Sequence, residues 1–212
     1  MTCVIVDAGS GNLHSAQKAF ERMAREAGAG EVLVSARPED VARADRVVLP
    51  GDGAFPACIR GLRAMDGMEA ALAEAMGARA RPFLGICVGM QMLADVGREY
   101  EEVAGFGAIA GSVERIVPAD PALKVPHMGW NDLVVTGAHP VLDGIGTGNH
   151  AYFVHSFQMA VERPEDRLAH VDYGGAVTAI VGRGTVVGTQ FHPEKSQAMG
   201  LRLIANFLRW RP

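Results

Sequence analysis

Apolar runs that end in glycine-bearing loops and pass into helical patterns recur through the first half of the chain. This recurrence constrains the fold more than any other feature. Residues 2–6 (TCVIV) are apolar and β-branched and lead through DAGSGN into helical spacing over residues 13–27, where Ala16, Ala19, Phe20 and Met23 share a stripe. Residues 45–49 close on PGDGAF before a helical pattern over 56–76 that breaks near Gly67. Residues 83–86 close on GICVG before a helical pattern over 88–95, and residues 31–34 read as one more strand. Strands alternating with helices through short loops predict an α/β fold with a central, mostly parallel sheet flanked by helices. In such a sheet ligands gather at the carboxyl ends of the strands, where PGDGAF and GICVG both lie.

The second half changes character. Residues 109–117, 132–135, 152–161, 167–171, 176–181 and 185–190 read as antiparallel strands added to the sheet. A last helix over 196–210 puts Leu201, Ile204 and Leu208 on one stripe. No repeat or linker interrupts the 212 residues, so a single domain over 1–212 is expected, and 49% hydrophobic residues suffice for its core. The net charge of −4 gives no reason to expect nucleic acid, and no apolar run is long enough to span a membrane. Asp7 comes too early for a signal peptide, so a cytoplasmic location is expected. Three scattered cysteines offer neither a disulfide framework nor zinc spacing, and no metal or other cofactor is expected.

Cys87 sits in Gly-x-Cys-x-Gly at a strand end. The frame permits a sharp strand-to-helix turn that projects the thiol and turns helix-start N–H groups, notably that of Val88, toward the same space. A small buried hydrophobe is the competing reading. A nucleophile needs a base, and His192 follows the apolar run VVGTQF and precedes Pro193 and Glu194. If the chain stays extended through HPE, His192 and Glu194 project to one side, and the carboxylate can orient the imidazole. The PGDG loop can lie beside the elbow and supply a second oxyanion donor. Cys3 and Cys58 read as core residues. His14, His139, His150 and His170 lack a partner at useful sequence spacing.

PGDGAF, GICVGMQ and QFHPEKS, in this order, resemble the class I (triad-type) glutamine amidotransferases. DAGSGNLHS, VPHMGWN, YFVHSF and HPEKSQ narrow the resemblance to one family, the glutaminase subunits of imidazole glycerol phosphate synthase. The resemblance implies that Cys87 is the nucleophile, His192 the general base and acid, and Glu194 its orienting partner. It implies an oxyanion hole from the Val88 N–H and an N–H at Asp52 or Gly53. Gln91 would contact substrate, and Glu99 would receive its α-amino group, with Glu101 or Glu102 as alternatives. Tyr152, His155 and Ser156 would line the glutamine pocket. Asn12, Trp130, Asn131 and Lys195 would face a separate cyclase subunit in a heterodimer.

One departure is Asp52, where family members often carry an apolar residue; its side chain is expected to point outward. The rival readings are the glutaminase component of an anthranilate, carbamoyl phosphate, guanylate or pyridoxal phosphate synthase, and a non-catalytic regulatory subunit of the same fold. VPHMGWN argues against the first group. The intact Cys87, His192 and Glu194 set argues against the second.

Overall fold

The computed structural model describes residues 1–9 and 13–212; Asn12, one of the expected interface residues, lies outside them. In the first half β1 (Thr2–Val6), α1 (Leu13–Ala27), β2 (Glu31–Ser35), α2 (Pro38–Arg43), β3 (Arg46–Gly51), α3 (Phe55–Arg63), α4 (Met68–Met76) and β4 (Phe83–Cys87) follow in turn. The helical break is at Gly67, whose φ of 75° suits a residue without a side chain. Helix α2 was not legible because its six residues, PEDVAR, bury only Val41.

The second half supplies α5 (Val88–Gln91), β5 (Val96–Gly97), β6 (Val103–Ala104), β7 (Gly111–Arg115), β8 (His127–Asp132) and β9 (Val134–Val135). It continues with β10 (His150–His155), β11 (Phe157–Val161), β12 (Arg167–Asp172), β13 (Ala176–Arg183), β14 (Val186–Thr189) and α6 (Gln197–Arg209). The central sheet has eight strands in the order β2-β1-β3-β4-β14-β13-β12-β9. Pairing is parallel from β2 through β14 and antiparallel beyond. Strands β3 and β4 are buried at every residue, as expected of central strands covered on both faces.

Some expectations change. The antiparallel strands do not all join the central sheet: β8 and β10 pair as a separate ribbon, and β11-β7-β5-β6 form a third sheet. The run read as one strand over 152–161 breaks at Ser156, and its halves enter different sheets. The helix expected over 88–95 keeps helical form only over Val88–Gln91.

This topology sets the site. β3 and β4 run parallel with Gly51 opposite Cys87, so the PGDG loop and the elbow leave the sheet side by side. β14 flanks β4 on its other side with Thr189 opposite Ile86, and the chain reaches His192 three residues later.

Candidate active site

Cys87 ends β4 with φ 56° and ψ −116°, a conformation that non-glycine residues avoid. The turn is held by close backbone approach. A Cβ on Gly89 would lie 1.8 Å from the Leu49 carbonyl oxygen, one on Gly85 2.5 Å from that of Gly89, and one on Gly51 2.6 Å from the Gly89 nitrogen. The glycines around Cys87 are therefore required by packing as well as by the sharpness of the turn.

His192 is extended (φ −91°, ψ 103°), but the following Pro193–Lys195 form a 3-10 turn, so the extended path expected through HPE stops there. The turn still brings the two side chains together: His192 Nδ1 lies 2.9 Å from Glu194 Oε1. The His192 N–H donates to the Tyr152 carbonyl at 3.3 Å, and the Ser196 hydroxyl donates to the His192 carbonyl at 2.7 Å. Burial pushes the imidazolium toward losing its proton. Hydrogen bonds to Cys87 and Glu194, with the charges of both, outweigh it and raise His192 from 6.5 to about 9. Glu194 Oε2 is buried without a hydrogen-bond partner among the described residues.

A cavity of about 240 Å³ opens beside the sulfur, lined by Asp52, Gly53, Cys87, Val88, Gln91, Glu99, Pro126, Val154, His155, Ser156 and Phe157. Glu99 is buried in its wall, and its Oε2 accepts the Phe55 N–H at 2.8 Å. The alternatives lead elsewhere: Glu101 pairs with Arg60 and Glu102 with Arg98 at the surface. Asp52 is exposed, and its carbonyl accepts the Cys58 thiol at 3.3 Å. The N–H of that same peptide, belonging to Gly53, therefore points away from Cys58.

Gln91 Nε2 lies 3.0 Å from the Phe157 carbonyl and 3.1 Å from Gln190 Oε1. A carbonyl only accepts, so both amide protons of Gln91 are committed, and Oε1 is the atom left to meet a ligand donor. His155 and Ser156 reach the cavity because the chain bends between sheets there. Tyr152, the first residue of the same segment, packs its ring edge-on against Trp130 at 5.7 Å, beside rather than in the wall of this cavity. Trp130 is half exposed and Lys195 exposed.

Two buried histidines continue from this site toward the surface at Asn131 and Asp172. His155 Nδ1 contacts the Phe157 carbonyl at 2.8 Å and so carries the proton. Its Nε2 meets His127 Nδ1 at 3.1 Å, and His127 Nε2 meets Asn131 Nδ2 at 3.3 Å. Asn131 Nδ2 also donates to the Asp172 carbonyl at 3.1 Å. Burial lowers His127 from 6.5 to about 4. Burial also dominates at His155, where the bond to the Phe157 carbonyl pulls up and the charges of His127 and His192 push down, leaving about 4. Both rings are neutral at pH 7, so each nitrogen has one role, and protonating either ring breaks the chain. The linkage sign follows from the lowered values. Stability from this pair is fully present above about pH 6.5 and falls as pH drops toward about 4. Urea midpoints measured across this window should show the fall, and His127→Gln should reduce its slope; an unchanged slope would remove His127 from the account.

Sequence reasoning missed His127 and Gln190. The first lay inside VPHMGWN without a role; the second was a polar residue ending an apolar run, the available signal for a buried contact. His150, which lacks a partner at useful sequence spacing, pairs at the surface with Asp132 across the β8–β10 ribbon. Among the described residues no cluster of three or more His, Cys, Asp or Glu side chains could hold a metal ion. A larger groove of about 880 Å³ near Trp210 lacks a cysteine, and its one imidazole, His139, accepts the Val141 N–H.

The profile of the family described as glutamine amidotransferase class-I matches residues 4–210, and the chain belongs to that family. Solved structures agree on the fold. One titled as a glutamine amidotransferase superposes with a TM-score of 0.71 at 23% identity, covering 97% of this chain and 96% of that one. A glutamine amidotransferase from Thermotoga maritima gives 0.63 at 19% identity, covering 92% and 76%. Within the family the chain groups with the imidazole glycerol phosphate synthase subunits HisH. It is 69% identical to that of Cereibacter sphaeroides and 64% identical to that of Ruegeria pomeroyi, over the full length of each chain.

Proposed function

We propose that this chain, as one amidotransferase domain over 1–212, hydrolyses L-glutamine to glutamate and ammonia. The ammonia passes to a separate cyclase subunit, which makes imidazole glycerol phosphate and aminoimidazole carboxamide ribotide in histidine biosynthesis. The two chains work as a cytoplasmic heterodimer. The observation that carries this reading is the meeting of Cys87, His192 and Glu194 beside a cavity walled by Gln91 and Glu99. The names of the full-length relatives support the choice of synthase. Among the described residues no helix is long and apolar enough to cross a membrane.

In the mechanism, Cys87 Sγ attacks the carboxamide carbon, and the carbonyl electron pair moves onto oxygen. The Val88 N–H and an N–H of Asp52 or Gly53 receive that oxyanion. His192 gives the proton taken from the thiol to the departing nitrogen, and ammonia leaves a γ-glutamyl thioester. Neutral His192 then takes a proton from water, which attacks the thioester, and the proton returns to sulfur as glutamate is released. Glu99 and Gln91 Oε1 are the acceptors for the substrate ammonium group. His155 and Ser156 close the pocket, while Trp130, Asn131 and Lys195 face the cyclase.

A PGDG donor that is aligned only when the loaded partner is bound would keep the isolated chain slow. Losing one oxyanion donor costs about 10²–10³ in rate. Glutaminase activity is therefore expected to be low for the chain alone and to rise by that order with the cyclase and its ligand. Equal rates with and without the partner would remove the gating; stimulation by the acceptor chain of a different synthase, and not by this cyclase, would overturn the assignment.

A further inference from the structure

We propose that Gln190 is part of the catalytic machinery, its side-chain amide donating to the Cys87 sulfur in an orientation locked by Gln91. The inference rests on the reading of Cys87 as nucleophile. Gln190 is fully buried one residue past β14, between Thr189 and Phe191, which are also buried. Its main-chain N–H is satisfied by the Ala179 carbonyl at 2.8 Å, so the strand does not need the side chain for pairing. Burying a primary amide is costly unless its hydrogen bonds are met, and an apolar residue of similar length would fill the space without that cost. The amide's two partners are both residues of the site: Gln91 at 3.1 Å and Cys87 Sγ at 3.8 Å.

The direction of these contacts follows by elimination. The Phe157 carbonyl can only accept, so the Gln91 atom facing it is Nε2. That same Nε2 faces Gln190 and needs an acceptor there, which is Oε1. The other end of the Gln190 amide, Nε2, is then the group turned to the sulfur. Sulfur is a weak acceptor as a thiol and a stronger one as an anion. Negative charge develops on Sγ twice in the cycle, before attack on glutamine and when the thioester expels it. A fixed donor therefore assists both half-reactions, and His192 alone carries the protons.

The test is made on the full chain assembled with its cyclase and the cyclase's ligand. Gln190→Met keeps the length and removes the donor; kcat is expected to fall about tenfold, with KM for glutamine held within about twofold. Gln190→Glu turns an acceptor toward the sulfur and should lose about a hundredfold or more. A residue that only packs would leave Gln190→Met at wild-type kcat, and that result overturns the proposal. A raised KM at unchanged kcat also overturns it, since Gln190 would then act only through Gln91 on binding. Where Gln190→Met does not fold, Gln190→Asn, whose amide stops short of the sulfur, carries the same expectation and the same refutation. Cys87→Ala is assayed alongside. Hydrolysis retained in that variant sinks the nucleophile reading itself; hydrolysis lost there but normal in Gln190→Met sinks only this inference.

Discussion

Replacing Cys87 by alanine is expected to abolish glutamine-dependent synthesis by the assembled enzyme while synthesis from added ammonium salt continues. Among the described residues Cys87 is the only thiol in the wall of the cavity that also holds Gln91 and Glu99. The other cysteines are elsewhere: Cys3 is wholly buried in the core, with its thiol pushed up to about 12 by burial, and Cys58 donates to the Asp52 carbonyl. Alanine also keeps the Cβ that the elbow already tolerates at φ 56°, so the substitution adds no backbone strain. On the proposed mechanism ammonium enters after the step assigned to Cys87, so retained ammonium-dependent synthesis shows that partner and assembly are intact. Glutamine hydrolysis by Cys87→Ala would refute the assignment.

Replacing His192 by asparagine is expected to lower kcat/KM for glutamine by about 10²–10⁴, the usual contribution of a positioned general acid–base. The pH profile gives a sharper result. With His192 held at about 9, the imidazolium persists through neutrality; if it is the proposed proton donor to the departing nitrogen, kcat/KM is expected to decline as pH rises through about 9. Alkylation of Cys87 by a haloacetamide needs no such proton and should not decline there. Glu194→Gln removes a carboxylate that supports the imidazolium and should move the alkaline limb to lower pH. A limb that stays in place would belong to another group. The same raised value stabilises the fold fully below about pH 6.5 and loses that contribution as pH passes about 9.

The parts of this architecture legible in the sequence are those governed by local chemistry. Apolar runs leading into glycine-bearing loops announced β1, β3 and β4, and HPE announced an imidazole beside a carboxylate. The parts that depend on distant partners were not legible. VPHMGWN does not look like a strand because β8 is exposed or half-buried at most positions and pairs only with β10. The ring contact of Tyr152 with Trp130 was not legible either, because it joins two strands whose pairing the sequence does not state. Gln190 and His127 were missed because a buried polar residue is intelligible only once its partners, 99 and 28 residues away, are known.

The break at Ser156 has a consequence for how chain length can vary. The carbonyl one residue beyond it accepts from both Gln91 and His155, and β11 begins there in register with β7. One residue inserted at this joint would either carry that carbonyl away from both donors or slip β11 by one position. The slip would turn Met159, now fully buried, outward. The segment carries no catalytic group, yet it should be among the stretches least tolerant of insertion or deletion.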